Sequence, residues 1–160
     1  GSNYRMSKLQ SAVGLTQLKK VDRNACIRKK YAEYLSEKLK GIEEITVPCV
    51  PVGYEHVYHL YTLLFDEEKV GKSKEEFIRI LKEKYKIGVA IHYRPVYEWT
   101  VFKERGYNGD DTPIADKIMR QLFNVPVFAR MEYEDFDYIA WAIKEAIVDL
   151  RRKKLGFYNR

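Results

Sequence analysis

Cysteine is nearly absent. Cys26 and Cys49 are the only two in 160 residues, too few for a disulfide framework. In a Lys/Glu-rich chain they read as reduced thiols of a cytoplasmic protein. No apolar run approaches the ~20 residues that span a bilayer, and the polar opening lacks the apolar stretch of a secretory leader. A membrane partner is therefore not expected. Histidine occurs three times, as His56, His59 and His92. The first two form an H-x-x-H within a predicted strand, where positions three apart face opposite sides. No cysteine or carboxylate pattern completes a tetrahedral set, so no metal is expected. The chain also lacks a P-loop, a G-x-G-x-x-G and a G-x-S-x-G. Asp110-Asp111 stands in a turn beside Thr112 and reads as turn and capping chemistry rather than an acid–base pair.

What is present is ordinary for a folded domain: 46% hydrophobic and 32% charged residues, in a chain long enough to bury one core. The net charge is +6, from 29 basic and 23 acidic residues. Such an excess invites an anionic partner. Most of the basic residues alternate with acids, however, as in Lys82-Glu83-Lys84. The one basic block, residues 151–154, closes a predicted helix, where cations complement the dipole. No aromatic RNA-binding motif accompanies it, and nucleic acid is not expected as a partner. Thirteen tyrosines offer either stacking surfaces or core packing.

The pattern predicts the order α-β-α-β-α-(β)-α in a single domain, residues 1–160. Ser7-Lys8-Leu9-Gln10 is a capping box. Leu9, Ala12, Val13, Leu18, Val21, Ala25, Tyr31, Leu35 and Leu39 then recur at near-helical spacing. Together they predict one long linker helix within residues 1–41, ending at Gly41, with Gly14 and residues 22–24 as places to bend. Residues 42–160 form the α+β body. Within it the predicted strands are 56–66 and 89–94, with a short extended piece at 124–127. Helices are expected from the Ser73 capping box to about Lys86, from Thr112-Pro113 to about Leu122, and from Glu134 or Asp135 onward. The expected fold is α+β: a small antiparallel or mixed sheet covered by helices.

Two clusters carry chemistry. Asn3 and Arg5 lie just before a helix N-terminus, where backbone amides favour anions and a guanidinium forks onto phosphate or carboxylate. The cluster reads either as an anion cradle or as incidental loop polarity. His92-Tyr93-Arg94-Pro95 leaves a predicted strand and enters a loop, where sites concentrate. There the side chains either line a site or are buried under a helix. No catalytic set emerges from these residues.

The opening GSNYRMSKLQSAVGLTQLKKVD resembles the G-x-N-Y-R-M-S-x-L-Q-A-A-x-G-L-x-Q-L segment of the DegT/DnrJ family of sugar aminotransferases, pyridoxal-phosphate enzymes of fold type I. The likeness continues in order through YHLYTLLFD, IGVAIHYRPVY, DTPIAD and NVPVFARMEYEDFDYI. It implies the C-terminal, small-domain part of such an enzyme, with the lysine-bearing N-terminal domain absent, no catalytic residue in this chain and no cofactor bound by it alone. It further implies that Asn3 and Arg5 reach the cofactor phosphate of a partner subunit in a homodimer. His92, Tyr93 and Tyr97 would line the entrance for a nucleotide-linked keto-sugar, with glutamate as a typical amino donor. Tyr97 stands where the family's H-Y-x-P-x-H loop carries its last histidine. The alternatives are a stand-alone binding or regulatory module and one half of a split gene.

Overall fold

The computed structural model describes residues 4–152. Two helices open the chain, α1 (Lys8–Leu18) and α2 (Val21–Leu39), where the sequence predicts one. The break falls at Lys19-Lys20, later than Gly14 and just before Asp22. There the Lys20 amide bonds to Gln17 rather than one residue further back, tightening the turn. The physical reason lies in packing. Ala32, Leu35 and Leu39 of α2 are buried, whereas α1 buries nothing, and its Leu9, Val13 and Leu18 are exposed.

A three-stranded antiparallel sheet follows, in the order β1 (Ile45–Thr46), β2 (Tyr61–Phe65), β3 (Leu122–Val125). The registers pair Ile45 with Phe65 and Tyr61 with Val125. Tyr61, Leu63 and Phe65 alternate onto the core face of β2, while Thr62 and Leu64 look the other way. Around the sheet stand α3 (Glu67–Val70), α4 (Lys74–Glu83), α5 (Thr100–Lys103), α6 (Pro113–Gln121) and α7 (Tyr133–Arg152). Short 3₁₀ turns occupy Val96–Glu98 and Gly109–Asp111.

The core is built from apolar helix stripes packed on the sheet. Phe77, Ile78 and Leu81 of α4, and Phe136, Ile139, Ala140, Ile143, Ala146, Ile147 and Leu150 of α7, are all buried. Phe77 stacks on Phe65 at 4.4 Å between ring centres and meets Phe123 edge-on at 5.4 Å. One side chain therefore ties α4 to two strands. The antiparallel sheet under helices is the α+β class expected.

Both long predicted strands are shorter in the structure. The first starts at Tyr61 rather than residue 56, because Tyr58 has φ of 47° and donates its amide to His56 Nδ1 at 2.9 Å. A left-handed residue cannot continue an extended ladder. The second, 89–94, shrinks to a single bridge between Ala90 and Asn124. The next ladder pair on one side would need an amide from Pro126, which has none. On the other side, the His92 amide is taken by the Asn124 side chain at 3.2 Å.

Candidate functional site

The segment that bridges to β3 positions the site. Ala90 and Asn124 exchange backbone hydrogen bonds at 3.1 and 2.8 Å, fixing the chain just before His92. Asn124 then holds the histidine with its own side chain. Its Oδ1 accepts the His92 amide and lies 3.4 Å from the ring Nδ1. That contact is a hydrogen bond when Nδ1 carries the proton, since a carbonyl only accepts. Asn124 Nδ2 donates to Thr62 Oγ1 at 2.7 Å. The oxygen and the nitrogen of this buried amide thus each have a partner.

His92 and Tyr93, neighbours joined by a cis peptide, open onto different clefts. Gly88, Ala90 and His92 line one; Ile91, Tyr93, Arg94 and Pro95 line another of about 440 Å³. The two rings still meet edge-on, with centres 5.1 Å apart. The Tyr93 cleft carries mixed charge: Glu67, Glu75 and Glu98 face Arg94, Arg120 and Lys74. Lys74 is 4% exposed, and its Nζ reaches the Met119 carbonyl at 3.4 Å. Burial holds this ammonium below the ordinary lysine range.

Tyr97 lines an adjoining cleft of about 440 Å³, which shares Glu98 and Arg120 with the Tyr93 cleft. Its hydroxyl donates to Asp116 Oδ1. The same carboxylate accepts Arg120 Nε at 2.7 Å and Nη2 at 3.0 Å. The bond to Asp116, helped by partial desolvation, pushes the phenol up to about 12. The Arg120 guanidinium, and then Tyr97, hold the Asp116 carboxyl below its usual range. Tyr97 is therefore a fixed, neutral phenol at physiological pH. Gly109 makes this close approach feasible: a Cβ there would lie 2.9 Å from Asp116 Oδ1 and 3.2 Å from the Tyr97 oxygen.

Arg5 stands apart from these clefts. It lines an open recess with Tyr4, Met6 and Gln10 at the start of α1. Ser7 and Gln10 close the expected capping box, at 3.2 and 2.8 Å. The amides of Lys8 and Leu9 are first-turn donors that no helical carbonyl can meet. Free first-turn amides and a guanidinium are each donor types that bind phosphate. Asn3 lies outside the described residues.

His56 and His59 precede β2, and no group of three metal-ligating side chains forms among the described residues. Nor is any helix long and apolar enough to cross a membrane among those residues. Sequence reasoning passed over Asn124, Lys74, Asp116 and Arg120. The last two carried a signal: a carboxylate and an arginine four apart on a predicted helix. Asn124, an amide inside an apolar run, carried a weaker one.

The model of the DegT/DnrJ/EryC1/StrS aminotransferase family matches residues 1–144. The spore coat polysaccharide biosynthesis protein SpsC of Bacillus subtilis is 31% identical over 148 residues, which are 92% of this chain and 38% of SpsC. The structure of DesI in the presence of its TDP-sugar product superposes with a TM-score of 0.85 at 16% identity, over 98% of this chain and 39% of DesI. The PLP form of Spr1654 from Streptococcus pneumoniae gives 0.79 at 23% identity, over 91% of this chain and 37% of that one. At these identities the two superpositions speak for the fold alone. The chain spans well under half the length of each of these relatives. With its family model covering residues 1–144, the chain belongs to the DegT/DnrJ/EryC1/StrS aminotransferase family.

Proposed function

We propose that this chain is the C-terminal, small-domain part of a pyridoxal-phosphate-dependent aminotransferase acting on a nucleotide-linked keto-sugar, and that it is inactive alone. The observation that carries the reading is the family match over residues 1–144. The TDP-sugar product named with DesI and the PLP form of Spr1654 support its substrate and cofactor classes. The complete protein is read as a cytoplasmic homodimer that takes nitrogen from a donor such as glutamate.

When bound, pyridoxal phosphate supplies an electron sink for amino transfer. Asn3 and Arg5 are assigned to a cofactor phosphate, a role supported by the position of Arg5 just ahead of α1. Their position ahead of an exposed helix suits delivery to a cofactor held by a partner subunit. Tyr93 and Tyr97 line adjoining clefts that would admit the sugar. Tyr97, kept protonated and aimed by Asp116, positions rather than moves a proton. Where the family's loop carries histidine, this phenol offers hydroxyl chemistry to the substrate, so the sugar preference is expected to differ from that of relatives with the histidine.

The test has two arms. The purified 160-residue chain, given pyridoxal phosphate, glutamate and a panel of nucleotide-linked keto-sugars, is expected to release no 2-oxoglutarate. The product of the upstream reading frame, expressed together with this chain, is expected to release it in a keto-sugar-dependent manner. Turnover by the chain alone, or an upstream frame without a lysine-bearing domain, would overturn the reading.

A further inference from the structure

The Tyr97 hydroxyl has a single proton, and that proton is already committed. The phenol donates it to Asp116 Oδ1. The reverse polarity is closed, because an ionised carboxylate only accepts. The Arg120 fork keeps Asp116 in that form, with Nε on Oδ2 at 2.7 Å and Nη2 on Oδ1 at 3.0 Å. Consistently, Arg120 holds the carboxyl below its usual range, and the bond to Asp116 holds the phenol above its own. Toward any other partner, the Tyr97 oxygen therefore acts as an acceptor alone.

That oxygen is placed to meet a ligand. Tyr97 is half-buried, with its phenol head at the molecular surface, and it lines the cleft it shares with Gly109. A Cβ at Gly109 would lie 3.2 Å from the phenol oxygen, so glycine is the residue that puts no side chain over it on that wall. Lys103 and Asn108 bring donors to the same cleft, Glu98 brings an acceptor, and Tyr107 brings an exposed aromatic face. Donors and acceptors beside an aromatic face suit a polyhydroxylated ring.

We propose that Tyr97 selects the sugar by accepting a hydrogen bond from one of its hydroxyls, and that Asp116 is the positioning residue that imposes this polarity. The inference rests on the function proposed above and narrows it. A neutral histidine at this place offers either an N–H or a lone pair. The phenol held here offers the lone pair alone. A sugar that presents only an acceptor at this point sets two acceptors against each other and is rejected. Asp116→Asn reverses the arrangement. Its one oxygen can keep Arg120 while its Nδ2–H faces the phenol oxygen, which frees the phenol proton for the ligand.

The first arm of the test needs no turnover. It uses the 160-residue chain with ring-labelled tyrosine, followed by NMR at about pH 10.5, where an ordinary tyrosine is mostly ionised. The Tyr97 signal, assigned by its loss in Tyr97→Phe, is expected to remain that of the phenol, and in Asp116→Asn to ionise with the ordinary tyrosines. An ionised Tyr97 in the native chain would overturn the polarity. The second arm uses this chain expressed with the upstream product. It reads KM for nucleotide-linked keto-sugars in which each hydroxyl in turn is replaced by fluorine, which cannot donate. At one position the replacement is expected to raise KM about tenfold. In Tyr97→Phe and in Asp116→Asn the same replacement is expected to cost less than about threefold. If no position is coupled to Tyr97, the proposal falls while amino transfer stands. Coupling that persists undiminished in Asp116→Asn would overturn the role of Asp116 and the polarity with it. Absence of turnover across the whole panel would overturn the proposed function itself, and this inference with it.

Discussion

Asn124 shows how one buried amide organises a site. Its oxygen faces the His92 amide and ring, and its nitrogen faces Thr62. Removing the threonine hydroxyl would strand the nitrogen in an apolar setting. Thr62→Val is therefore expected to cost about 1–3 kcal/mol, the penalty of an unmet buried donor, with the midpoint of urea unfolding as the readout. Asp149 makes a second case. Burial alone would raise its carboxyl, but hydrogen bonds from Lys84 at 2.6 Å and the Tyr85 hydroxyl at 2.8 Å outweigh that and hold it below its usual range. A depressed carboxyl stabilises the fold above its unfolded value, near 3.9, and that contribution drains away as pH falls through the folded value. The stability gap between the native chain and Asp149→Asn is thus expected to stay constant above about pH 5 and to close as pH falls below about 4. Urea unfolding in parallel at several pH values would show it. A gap that widened in acid would mean that the ion pair is not what perturbs Asp149.

Among the elements, α4 has the most legible sequence. Ser73 caps the Glu76 amide at 3.3 Å, and Phe77, Ile78 and Leu81 face inward as their spacing demands. Phe77 is fully buried between Phe65 and Phe123. Its replacement by alanine is expected to destabilise by about 3–5 kcal/mol, a loss measurable by thermal or urea unfolding. A smaller cost would mean that the α4–sheet contact collapses readily around the gap. Helices such as α4 and α7 could be read because a cap and a 3.6-residue stripe are local facts. The strands could not be bounded in the same way. Their limits depend on the left-handed Tyr58, on an amide missing at Pro126, and on a side chain that takes the His92 amide. The last two act through pairing between segments far apart in sequence, and the first is a local left-handed residue that a β-favouring run does not reveal. The same holds for the candidate site: His92, Tyr93 and Tyr97 stood out in one run of residues, but their division among three clefts depends on α2, α6 and β3.

At the scale of the whole molecule, the core and the opening helix behave as separate matters. Among the described residues up to Lys40, every buried one lies on α2: Ala32, Leu35 and Leu39. From α2 the packing continues to α7, where Tyr31 meets Phe136 at 4.8 Å and Tyr133 at 5.3 Å, and where Lys38 pairs with Asp137 at 2.6 Å. By contrast α1 presents Leu9, Val13, Leu15 and Leu18 outward and buries none of them. Hydrophobic stabilisation follows area removed from water, so α1 adds almost nothing to the fold of this chain, however well its capping box is formed. A variant lacking residues 1–19 is therefore expected to unfold with a loss below about 1 kcal/mol, a shift of roughly 2–4 °C or less for a domain of this size. The truncation should also leave the Phe77→Ala penalty unchanged, because sites without shared partners act additively. Calorimetry on the four combinations of these two changes tests both statements. A truncation loss of several kcal/mol would mean that α1 packs against the core in solution. Non-additivity with Phe77→Ala would locate that packing near α4. The expected additivity would instead mean that α1 and the core around Phe77 contribute to stability independently.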